Sequence, residues 1–219
     1  MMDRRQALKN IGLSFGAVTM SSTLIGALQS CQSKTGWIPQ FLSPQEADTL
    51  AQIMDVILPS SEALPGASDL NLIQFADTYL SLTKSPEEKA SIQQGIKSFM
   101  EVTLADNQKN NWKSITENEL QAQLSKYLKA SDTKREQWWE AIHQAEKEAQ
   151  ASGVFPSLAA EPLAYVLVSE VRELTVNAYK NSEYIGENVL VYVPVPGKHV
   201  GIVDLQETTQ GISWSNLSD

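Results

Sequence analysis

Apolar residues recur along most of this chain every three or four positions, the spacing that gives a helix one buried stripe. Leu50, Ile53, Met54 and Ile57 make the first stripe. It follows Ser43-Pro44-Gln45-Glu46, where Ser43 caps, Pro44 suits the first turn and Glu46 reaches back to complete a capping box. Pro59 restricts the residue before it, which predicts a stop near Leu58 and a loop over 59–68 containing Pro65-Gly66. A second helix is expected over about 70–82, with Ile73, Ala76 and Leu80 on one face. Ser85-Pro86-Glu87-Glu88 repeats the start signal for a third, carried by Ile92, Ile96, Phe99, Met100 and Leu104. Thr116 and Glu119 open a fourth, with Leu120, Leu124, Tyr127 and Leu128. Asp132 is the expected cap of a fifth, which runs through Trp138, Trp139 and Ile142 to about Gln150.

Gly153-Val154-Phe155-Pro156 interrupts the pattern, and a sixth helix starts near Pro162. Its stripe is Leu163, Val166, Leu167, Val171, Leu174 and Ala178, yet Tyr165, Val168 and Val176 lie off it. A helix apolar on several faces belongs in the middle of a bundle. The pattern then changes to β-rich segments over 189–193 and 199–203, separated by Pro194-Val195-Pro196-Gly197. The expected fold is therefore mostly α: an irregular bundle of about six helices with a short hairpin-like C-terminal tail.

The first thirty residues do not fit this bundle. Arg4-Arg5, followed by Leu8 and Lys9, precedes a moderately apolar run over 11–28 that is interrupted by small polar residues and glycines. Such a run makes a poor permanent span and a good transient signal core. It ends at Leu28-Gln29-Ser30-Cys31, the pattern of a bacterial lipobox, with Gln29 less usual at its position. The order of these features reads as a twin-arginine signal over 1–30 with lipidation at Cys31. The remaining divisions are a linker over 31–40, a helical domain over 41–205 and a tail over 206–219. The expected product is exported and periplasmic, anchored to the envelope by its acylated Cys31, since several buried acyl chains hold for long times. Two plainer readings stand beside it: an amphipathic N-terminal helix belonging to the fold, and a cleaved signal that leaves a free thiol.

Charge narrows the partners. The chain has a formal net charge of −9, and removing Arg4, Arg5, Lys9 and Asp3 with the signal makes the remainder more acidic still. Such a surface repels phosphate backbones and anionic lipid, which excludes nucleic acid as a partner. Cys31 is the single cysteine, so neither an internal disulfide nor an iron–sulfur cluster is available. No dinucleotide fingerprint, phosphate-binding loop, nucleophile elbow or zinc-protease motif occurs.

Candidate chemistry is thin. His143 with Glu146 has metal-ligand spacing but needs partners from other helices, and a surface histidine is the plainer reading. His199 lies in the tail, where it reads as a loop donor. The carboxylates Glu87, Glu88, Glu146 and Glu148 fall at helix starts and on polar faces, so they read as solvated structure. A carboxylate pair of the glycosidase kind is set by separation in space, which spacing along the chain does not give. No catalytic, cofactor-binding or metal-binding residue is assigned. Trp138 and Trp139 stand about 100° apart around a helix. Either both enter the core, or one looks outward as an interface anchor.

Several short motifs occur in a telling order: Ser43-Pro44-x-Glu46, Ile57-Leu58-Pro59, Leu64-Pro65-Gly66-Ala67, then Phe75, Tyr79 and Leu80, and near the end Tyr179, Tyr184, Tyr192 to Gly197, and Gly201. The succession resembles the gluconate 2-dehydrogenase subunit 3 family. The resemblance implies a small accessory subunit, without catalytic residues, that supplies the twin-arginine signal for a large FAD-dependent dehydrogenase of the glucose–methanol–choline type. It also implies that a c-type cytochrome takes the electrons. The expected partner interface is Pro59, Pro65, Gly66, Trp138, Trp139, Tyr184, Tyr192, Pro196 and Gly197. Two other hypotheses remain in view: a free-standing envelope lipoprotein that binds a small ligand or serves as scaffold, and an unrecognised hydrolase.

Overall fold

In the computed structural model, the described residues are 37–152, 158–191 and 202–215. Those from Ile38 onward belong to one unit built of helices. In chain order they are α1 (Pro44–Ile57), α2 (Leu72–Thr83), α3 (Pro86–Asp106), α4 (Glu117–Leu128), α5 (Asp132–Ser152), α6 (Ala160–Lys180), α7 (Glu183–Asn188) and α8 (Leu205–Thr209), with a 3-10 turn at Trp112–Ser114. The mostly helical class is as the pattern predicts, with α7 and α8 added as short helices.

Three of the starts are the predicted capping boxes. Ser43, Ser85 and Thr116 accept from the amides of Glu46, Glu88 and Glu119, whose carboxylates return to the cap amides at 2.8, 2.8 and 2.7 Å. Satisfying these donors defines where each helix begins. α5 differs from expectation: Ser131, not Asp132, accepts from the Lys134 amide at 3.3 Å, and Asp132 pairs with Arg135 in the first turn. α2 begins two residues late, because Asn71 takes the left-handed conformation (φ 52°) in the turn that ends the preceding loop. Asparagine tolerates that region better than most residues.

α6 occupies the centre. It packs against α1, α2, α3, α4, α5 and α7. Pro162, Ala164, Tyr165, Leu167, Val168, Val171, Thr175 and Ala178 are buried, so residues on and off the predicted stripe both enter the core. The α3–α6 contact is the most extensive in the fold. Gly95 makes it possible: a Cβ there would lie 3.2 Å from the Leu167 Cβ and 3.7 Å from the Leu163 carbonyl oxygen. Around this contact the aromatic rings interlock. Phe99 meets Trp112 and Tyr127 at centroid distances of 6.2 and 6.3 Å, and Trp138 sits 5.5 Å from Tyr127 and 4.8 Å from Tyr165. Buried threonines bring no orphaned hydroxyl, since Thr49, Thr103 and Thr175 donate to carbonyls four residues back.

A carboxylate closes the front of the bundle. Asp77 of α2 is fully buried, and it accepts from the amides of Gln40, Phe41 and Leu42 at 2.6, 3.1 and 2.8 Å. It pins the strand of chain leading into α1. At the far side Lys109 donates to Glu119 and to the Ser114 carbonyl, both at 2.5 Å, fastening the α3–α4 connection. Lys126 pairs with Asp106 and Glu161 at 2.8 and 2.5 Å, linking α3, α4 and the start of α6.

The expected hairpin is not formed among the described residues, which contain no strand. Val191 instead makes an isolated parallel bridge to Trp214, with Val191 N–H donating to the Ser213 carbonyl at 3.0 Å and Ser215 N–H to the Val191 carbonyl at 2.9 Å. Asp204 caps α8 by accepting from the amides of Gln206 and Glu207 at 2.9 Å, so a helix start outcompetes extension there. Positions 192–201, where most of the hairpin was expected, lie outside the described residues.

Two predictions follow from this packing. Gly95→Leu should lower stability by about 1–3 kcal/mol or more through overpacking against Leu167, read as a lower urea midpoint. The second concerns acid. Lys109, with the Thr116 amide and hydroxyl, holds the Glu119 carboxyl at about 2, below its ordinary value. Its contribution is present above the unfolded value and lost as pH falls from about 4 to about 2. Glu119→Gln should therefore flatten the urea midpoint across that interval.

Candidate interaction surface

The loop over 59–68 is the first segment the sequence singles out, and side-chain acceptors hold it closed. Asp55, in the last turn of α1, accepts from the Ser68 amide at 2.9 Å and the Ser68 hydroxyl at 2.5 Å. Asp69 accepts from the Ser60 hydroxyl at 2.5 Å and the Gly66 amide at 2.8 Å. These bonds, the Ser60 hydroxyl first, hold the Asp69 carboxyl below its ordinary range. The Ala67 amide donates to the Leu58 carbonyl at 2.9 Å, closing the neck. Gly66 is required there: a Cβ would fall 2.4 Å from the Ser60 nitrogen and 2.8 Å from the Leu58 oxygen. Pro59 is exposed where α1 ends, Pro65 is half-buried, and Gly66 is buried. Leu64 stands out at the tip.

Tyr184 comes to this loop. It lines, with Leu64, Pro65 and Leu70, a groove of about 380 Å³. α7 explains the placement, because Ile185 is buried against the bundle while its neighbour Tyr184 faces out. The tertiary structure thus brings together Pro65 and Tyr184, which lie far apart in sequence.

Leu70 leads directly into α2, and α2 carries the feature the sequence reading passed over. Its inner face packs on α1 and α6. Its outer face presents Phe75, Tyr79 and Leu82, exposed by 49%, 44% and 78%. These positions are i, i+4 and i+7, one ridge of a helix. Phe75 and Tyr79 stack with centroids 5.9 Å apart and planes within 15°. Asp77, the single charged residue of the helix, is turned inward. The signal was present as a second apolar stripe beside Ile73, Ala76 and Leu80, but a stripe alone does not say which face meets the core.

The tryptophan pair divides. Trp138 is buried between Tyr127 and Tyr165, which leaves its ring no surface to offer a partner. Trp139 is half-exposed, edge-on to Tyr165 and stacked on His143 at 5.9 Å.

The family model described as gluconate 2-dehydrogenase subunit 3 matches residues 44–197. The chain belongs to this family. No curated protein and no solved structure matches it. The match begins at Pro44 in the first capping box and spans α1 to α7 with the loop, groove and α2 ridge described above. Membership places the chain among the subunits of a dehydrogenase of several subunits.

A second concavity is a cleft of about 530 Å³ where α4, α5 and α6 meet, lined by Tyr127, Arg135, Tyr165, Arg172 and Glu173 among others. His143 and Glu146 pair on the exposed face of α5 at 3.3 Å. Among the described residues no group of three His, Cys, Asp or Glu is placed to hold a metal ion, and no helix is long and apolar enough to cross a membrane. Arg4, Arg5, Cys31, Tyr192, Pro196, Gly197 and His199 lie outside the described residues.

The loop geometry generates a prediction. Gly66→Ala places a Cβ against backbone atoms that cannot yield, so the neck must open. Limited proteolysis should then cut within 59–68 faster than in the unaltered chain, while the helical far-ultraviolet signal is kept.

Proposed function

We propose that this subunit acts without a reactive centre of its own, as the export and assembly partner of a large FAD-dependent dehydrogenase of the glucose–methanol–choline type that oxidises a sugar or sugar acid. The observation that carries the reading is the family match over residues 44–197. The large subunit folds around its flavin in the cytoplasm, and the small one brings Arg4 and Arg5, the twin-arginine address for folded cargo. By binding only the folded large subunit it stabilises that state through mass action. Acylation at Cys31 then keeps the pair at the envelope on the periplasmic side, where a c-type cytochrome receives the electrons.

The α2 ridge favours this reading over a free-standing ligand-binding lipoprotein. Such a protein needs no contiguous apolar face, whereas a subunit does. The cleft beside Arg135 and Arg172 is the feature that a ligand-binding lipoprotein would use instead.

Co-expression with the large subunit tests the proposal. The expected result is a complex whose flavin absorbance co-purifies with this chain and reaches the periplasm. Arg4→Lys with Arg5→Lys should leave the flavoprotein in the cytoplasm. An exported, active flavoprotein in cells lacking this chain would refute the carrier role, and turnover by the purified chain alone would refute its non-catalytic character.

A further inference from the structure

α2 is unlike the other long helices of the fold. α3 exposes Glu87, Glu88, Lys97 and Glu101, and α5 exposes Lys134, Glu136, Glu140 and Lys147. α2 exposes no charge at all, because its one carboxylate is turned inward to hold the amides of Gln40, Phe41 and Leu42. In a chain of which 20% is charged, a charge-free outer face with two stacked aromatic rings and a fully presented leucine is the composition of an interface core. Removing charges from water is costly, so surfaces that become buried on association lack them. The face is also preformed: its inner side is fixed on α1 and α6, so little order is lost on docking.

We infer that the outer ridge of α2, Phe75, Tyr79 and Leu82, is the surface by which this subunit docks into an apolar groove of its large flavoprotein partner. The inference rests on the function proposed above and names the face that performs it. The groove lined by Leu64, Pro65 and Tyr184 opens at the N-terminal end of the same helix and extends the surface. Charge selects the occupant. Two copies of this chain each carry −9 and repel, so a second copy is disfavoured. An anionic membrane is disfavoured too, for the two lysines beside the C-terminal end of α2 are already engaged, Lys84 with Glu88 and Lys89 with the Ser81 carbonyl. A partner with an apolar groove and a basic rim suits both the neutral ridge and the acidic body around it, including Glu62 and Asp69, which line the groove at its end.

The test uses the co-expressed complex. A photo-crosslinking amino acid placed at Phe75 should yield an adduct with the mass of this chain plus the large subunit, and the same probe at Trp139 should not. Phe75→Glu with Tyr79→Glu should reduce the co-purifying flavin at least ~10-fold, as expected when charge enters a desolvated hot spot. The variant should keep its circular dichroism and melting temperature, since both side chains are half-exposed in the free chain. Adducts of the chain with itself, adducts with lipid, or full flavin retention by the double variant would each overturn the assignment of this face. An unaltered chain that brings down no flavin at all would instead overturn the functional proposal, and this inference with it.

Discussion

The enclosure of α6 is the constraint on which the remaining structure depends. A helix with tyrosine, leucine and valine on several faces is stable only when those faces are covered, and six other helices pack against them while Glu170, Arg172, Glu173 and Asn177 stay in solvent. The tightest part of that enclosure is the approach of α3 at Gly95, where the absence of a side chain lets the backbone of one helix reach Leu167 of the other. With the two long helices locked there, Phe99, Tyr127, Trp138 and Tyr165 can interdigitate at distances that suit tilted and edge-on aromatic packing.

Polar groups complete the bundle at its edges. The buried Asp77 carboxylate collects three main-chain amides, and Glu119 collects a lysine and a cap. Each gives main-chain donors of a connecting segment a partner where that segment lies against the core, which is the usual condition for burying irregular chain. The loop over 59–68 follows the same logic with Asp55 and Asp69 as acceptors, and Gly66 supplies the close backbone approach. A rigid loop beside Tyr184 and a rigid helix face on α2 are thus by-products of how the fold satisfies its own hydrogen bonds.

Asp77 ties the stability of the fold to the character of its outer surface. Had that carboxylate faced outward, α2 would carry a charge in solvent like its neighbours. Turned inward, it anchors the entry to α1 and leaves the outer ridge electrically neutral within an acidic protein. Association through such a face would draw on apolar burial.

The sequence by itself determined where helices start and stop. Ser43, Ser85 and Thr116 act through bonds to residues three positions away, and Pro59 acts on its immediate neighbour, so both are local and legible. It also determined that α6 is central, and its short motifs sufficed to point to the family. Tertiary structure alone decided which of two apolar faces of α2 meets the core, that Trp138 enters while Trp139 remains half-exposed, and that Tyr184 joins Pro65. It decided as well that Val191 bridges to Trp214. The reason is the same in each case: capping and turn chemistry are settled within four residues, whereas the side a helix buries depends on neighbours that are distant in the chain.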